Sequence, residues 1–65
     1  MERAIYLTIT YYTYNGLDWT MRQWITCDNE QDMRRHVKDA LDDASHIEWE
    51  AEENGVLIWH GSTLD

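Results

Sequence analysis

The chain has 65 residues, a formal net charge of −8 and 43% hydrophobic residues, among them four Trp and four Tyr but no Phe. That length supports a single domain, and the apolar content is too high for a disordered acidic tail. The charge works against direct contact with nucleic acid or an anionic membrane, because phosphates repel it.

The single cysteine, Cys27, excludes an internal disulfide framework and fits a reducing cytoplasm. No apolar run exceeds four residues, far short of the ~20 that a membrane-spanning helix needs, and no signal peptide is expected. The charge is unevenly placed. Residues 1–38 hold five acids and all five bases, whereas residues 39–65 hold eight acids and no Lys or Arg. A concentration of this kind points to a surface for a positively charged partner.

In chain order, residues 3–14 read as a first strand, rich in Ile, Tyr and Thr. Asn15-Gly16 is a hairpin signal. A two-residue turn there would mix polar and apolar residues on both faces. A three-residue loop, with Gly16 in the left-handed position, pairs Thr13 with Leu17 and a second strand over residues 17–27. This register puts Ile5, Leu7, Ile9 and Tyr11 on one face with Trp19, Met21, Ile25 and Cys27. It is preferred because a one-residue slip would turn one strand's apolar set to solvent. Gln23 is the polar misfit on that face.

A helix is expected over about residues 29–44, capped by Asp28, with Gln31 completing a capping box. Met33, Val37, Ala40, Leu41 and Ala44 recur at helical spacing and form one stripe. Arg35 and Asp39 have the spacing of an i,i+4 pair. Residues 46–52 alternate as a third strand, with Ile47, Trp49 and Ala51 on one side and Glu48, Glu50 and Glu52 on the other. Asn54-Gly55 repeats the hairpin signal. Residues 56–60 make a fourth strand that is apolar on both faces. It is either central or a covered edge, and its register stays open. Residues 61–65 form a short tail.

The elements add up to an α+β domain of ββαββ order: a four-stranded antiparallel sheet with the helix packed on one face. Nothing is left to cover the other face. In the preferred register that face carries Tyr6, Thr8, Thr10 and Tyr12 opposite Trp24, Arg22, Thr20 and Asp18. The second hairpin adds Glu48, Glu50 and Glu52.

Tyr and Trp are the usual anchors of protein interfaces, and same-face carboxylates ~6.5–7 Å apart make a regular row of negative charge, loosely like a phosphate backbone. Asp42 and Asp43 extend the cluster at the helix C-terminus, where the backbone dipole disfavours an acid. A local rule broken at some cost is where a functional surface is often found.

Such a row fits a basic groove, which is typical of nucleic-acid-binding proteins. In size, charge and sheet-plus-helix plan the chain resembles, at the level of class, the small acidic inhibitors made by bacteriophages. These include DNA mimics that block uracil-DNA glycosylase or restriction and CRISPR enzymes. No motif matches a particular member, so no residue roles follow from the resemblance.

Other chemistry is weakly signalled. His36, His46 and His60 lie among carboxylates, and Asp42 could face His46, but no metal-ligand spacing is present and no metal or other cofactor is expected. Cys27 precedes the helix and reads as a buried structural thiol among Asp28, Glu30 and Asp32. No phosphate loop, Ser-His-Asp arrangement or CxxC occurs, and no enzyme is expected.

The expectation is a cytoplasmic, non-enzymatic inhibitor or modulator of phage type. It would bind a basic host protein, such as a nucleic-acid-processing or defence enzyme, with DNA mimicry as one form of the binding. Partner-binding residues would be Glu48, Glu50, Glu52, Asp42, Asp43, Tyr6, Tyr12 and Trp24. The alternative is a small homo-oligomeric structural or accessory protein, a homodimer whose sheet faces form the interface.

Overall fold

The computed structural model describes residues 2–16, 18–40 and 44–63. Strands β1 (Arg3–Tyr12) and β2 (Asp18–Cys27) precede helix α1 (Glu30–Ala40), and strands β3 (His46–Glu53) and β4 (Val56–Ser62) follow it. The four strands form one antiparallel sheet in the order β2-β1-β3-β4, and the helix packs on one face. The expected ββαββ architecture is therefore the observed one.

The first hairpin has the expected three-residue loop register. Tyr6 pairs with Trp24, Thr8 with Arg22 and Tyr12 with Asp18. Gly16 has φ +79° and donates its N–H to the Thr13 carbonyl at 3.2 Å. The left-handed backbone there is why glycine occupies the position. In the second hairpin Asn54 and Gly55 take φ +54° and +79°, as a two-residue turn of this hand requires.

One continuous core lies between helix and sheet. Ile5, Leu7, Ile9 and Tyr11 of β1 meet Ile47, Trp49 and Ala51 of β3, and Met33 and Val37 of α1 close over them. Ile25 and Cys27 join from β2. Period-2 and period-3.6 apolar patterns converge on this layer, which is why the alternation in the sequence is so clean.

Four local expectations are corrected. The helix cap is Asn29, not Asp28. The Asn29 side-chain carbonyl accepts the Asp32 N–H at 2.9 Å, and the Asp32 carboxylate accepts the Asp28 N–H at 3.1 Å. The first bond satisfies an orphan N–H of the first turn one residue later than expected, and the second reaches past the cap to the residue before it. Arg35 turns back to Asp32 (3.8 Å) rather than forward to Asp39.

Helix α1 is described as far as Ala40, Leu41 of the expected stripe lies outside the described residues, and Ala44, the expected last residue, is not helical. Ala44 packs on the core from a bend, because Ser45 commits its N–H (2.9 Å) and its hydroxyl (2.8 Å) to the Tyr12 carbonyl. That anchor starts β3 beside the end of β1. Finally, β4 runs on to Ser62, and its register slips between the positions opposite Ala51 and Glu52. Trp59 therefore pairs with Ala51, and Leu57 with Glu52. Ile58 is the extra residue of a bulge. This slip is the reason β4 showed no alternation.

Candidate functional site

The face away from the helix has no covering element among the described residues. Its layout follows from the strand pairing. Rung by rung from β2 to β4 it reads Trp24, Tyr6, Glu52, Leu57; then Arg22, Thr8, Glu50, His60; then Thr20, Thr10, Glu48, Ser62. Glu48, Glu50 and Glu52 thus stand in a row on an inner strand, with neighbours on both sides. Spacing along the strand is ~6.5–7 Å. Glu48 and Glu50 are exposed and Glu52 is half-buried.

Aromatic groups bracket the row. Tyr6 and Trp24 meet with ring centroids 5.0 Å apart at 56°, and Trp24 is 69% exposed. With Glu52, Asn54 and Gly55 they line a depression of about 250 Å³. At the other end Tyr12 stacks on His46 at 4.4 Å and 8°, and its hydroxyl donates to Glu48 Oε2 at 3.3 Å. Loss of hydration and the neighbouring Glu48 carboxylate both push the Tyr12 phenol above its usual pKa. Tyr12 therefore holds Glu48 in position, whereas Trp24 presents a bare ring.

Six of the eight residues singled out from the sequence are brought onto this one face: Tyr6, Tyr12, Trp24, Glu48, Glu50 and Glu52. Asp42 and Asp43 lie outside the described residues. Leu57 and His60 also belong to the face, opposite Glu52 and Glu50. Sequence reading missed them because the bulge puts residues 57 and 60, of opposite parity, on the same side.

Other candidate chemistry is quiet. Cys27 is 2% exposed, and burial first, then the Asp32 charge, push its thiol above the usual value. No group of three or more His, Cys, Asp or Glu among the described residues is placed to hold a metal ion. Among those residues no helix is long and apolar enough to cross a membrane.

The site and fold together define a small α+β domain with one open, acidic and aromatic sheet face. Comparison with protein-family models, with curated proteins and with solved structures finds no match to this chain.

Proposed function

We propose that the protein is a non-enzymatic inhibitor or modulator of phage type, acting in a cytoplasm by occupying a basic protein surface with its open sheet face. The observation that carries this reading is the row Glu48, Glu50, Glu52 on inner strand β3, set between the Tyr6–Trp24 pair and Tyr12. The carboxylates supply the field that speeds encounter and selects a basic partner. Trp24 supplies desolvated contact area of the kind that dominates interface energetics. A nucleic-acid-processing or defence enzyme has the complementary groove, and the row would then compete with its nucleic acid. A face-to-face homodimer, the other reading, would press two carboxylate rows together, and buried unpaired charge opposes that.

The test is capture from a bacterial lysate, with nuclease treatment, by the wild-type chain, by the triple variant Glu48→Gln, Glu50→Gln, Glu52→Gln, and by Trp24→Ala. The expected result is a nuclease-resistant protein that wild type retains at low salt, releases at ~0.5 M salt and yields to added DNA. Both variants should lose it. A partner retained equally by the triple variant would remove the acidic row from the interface.

A further inference from the structure

Strand β2 is an edge of the sheet, and its end is only half covered. Ile25 and Cys27, at one end of β2, are buried in the core with Met33 and Val37 of α1, whereas Trp19 and Met21, on the same face, are each 44% exposed. Neither ring nor thioether is loose. Tyr11 stacks on Trp19 at 5.0 Å and 8°, and the Tyr11 hydroxyl points to the Met21 sulfur at 4.0 Å.

Folded proteins usually blunt such edges with bulges, short strands, Lys or Pro. The opposite edge, β4, follows that practice. It has seven residues and a bulge, and Thr63 ties its end back to Ile47. By contrast, β2 pairs with β1 at ten successive positions without a slip and contains neither Lys nor Pro. Its charges are Asp18 and Arg22, so on a chain of −8 this edge is neutral.

We propose that β2 pairs antiparallel with β2 of a second copy of this chain, about a two-fold axis at Thr20. The order of residues around Thr20 is what selects a second copy as the occupant. In that register Asp18 stands opposite the partner's Arg22 on the open face, and Trp19 stands opposite the partner's Met21 on the helix side, each contact occurring twice. A centre at Arg22 would oppose like charges, and a centre at Met21 would set Asp18 against the partner's Trp24. The Thr20 centre also joins the uncovered half of one strand to the uncovered half of the other. Paired main-chain groups and two covered apolar pairs are the ingredients of strand-addition interfaces. The carboxylate row stays open in both copies, so this pairing stands or falls independently of the acidic-face reading.

The experiment is sedimentation equilibrium of the full chain over about 1–200 μM, with variants at exposed positions and circular dichroism as a check that each folds. Wild type should approach twice the 7.8 kDa chain mass. Met21→Lys should weaken the dimer at least about tenfold, and so should Asp18→Arg or Arg22→Asp, since symmetry places each change in two contacts. The double swap D18R/R22D should restore wild-type affinity. An equimolar mixture of D18R and R22D should associate more tightly than either alone, because each then supplies the other's missing charge. A wild-type monomer at 200 μM would overturn the proposal, as would a dimer indifferent to Met21→Lys and to both charge reversals.

Discussion

Trp49 of β3 fills the space that a side chain at Gly61 of β4 would need. The two residues are cross-strand partners, and a Cβ built on Gly61 would lie 2.5 Å from Trp49 Cζ2 and 2.8 Å from Cε2. Backbone conformation is not the reason for glycine here, since Gly61 lacks the left-handed φ of Gly16 and Gly55. The reason is the indole, which uses β4 as the side wall of the core.

Gly61→Ala should therefore act as an overpacking change. The ring must leave its place, at a cost of about 1–3 kcal/mol. Gly16→Ala, where nothing lies within 4 Å, should cost only the left-handed backbone penalty of about 1–2 kcal/mol. Near-ultraviolet circular dichroism separates the two mechanisms. The Trp signal should change in the Gly61 variant and stay the same in the Gly16 variant. Wild-type stability in urea for Gly61→Ala would mean that Trp49 does not rest on β4.

Arg3 and Glu53 tie the start of β1 to the end of β3. Arg3 Nε and Nη2 donate to the two Glu53 oxygens at 2.9 and 2.7 Å, and the guanidinium lies 4.9 Å from the Trp59 ring centre. The hydrogen bonds from Arg3 hold the Glu53 carboxyl below its usual value of 4.5. A depressed folded-state pKa stabilises the fold above the unfolded value, and that contribution disappears as pH falls through the folded value. Glu53→Gln should thus be less stable than wild type at pH 7, with the gap closing below about pH 4.5 as wild type loses the ion pair. Denaturation curves at pH 7, 5, 4 and 3 test this. A gap that stays constant across the series would show that the pair carries no linkage.

Asn29 is the residue whose side chain closes the first turn of α1. Asn29→Ala should cost about 1 kcal/mol, the usual worth of a side-chain cap, while Asn29→Asp should keep the bond and most of the stability. Thermal or urea unfolding measures both. Equal stabilities for Ala and Asp at this position would place the cap elsewhere.

Much of the layout was legible because it depends on local periodicity. The register of the first hairpin follows from Asn15-Gly16 together with two apolar faces that only one loop length brings together. The third strand's alternation placed Glu48, Glu50 and Glu52 opposite Ile47, Trp49 and Ala51, as observed. Legibility failed where a non-local contact decides. Asp28 and Asn29 both carry acceptor oxygens suited to a cap. The helical stripe reaches Ala44, but the Tyr12 carbonyl draws Ser45 into the sheet. Residues 56–62 lose their alternation because the bulge opposite Ala51 and Glu52 changes the side on which successive residues point.

The sequence by itself determined the charge asymmetry, the strand–strand–helix–strand–strand order and which side chains of β1, β2 and β3 share a face, since the pleat is a property of adjacent residues. Only the tertiary structure decided lateral position: that the carboxylate strand is an inner one, that Leu57 and His60 join its face, and that β2 is an edge whose Trp19 and Met21 stay partly exposed. Lateral order depends on which strands pair after the helix crosses over and on which residues meet in the core. Those are contacts between distant residues, and periodicity within a strand carries no record of them.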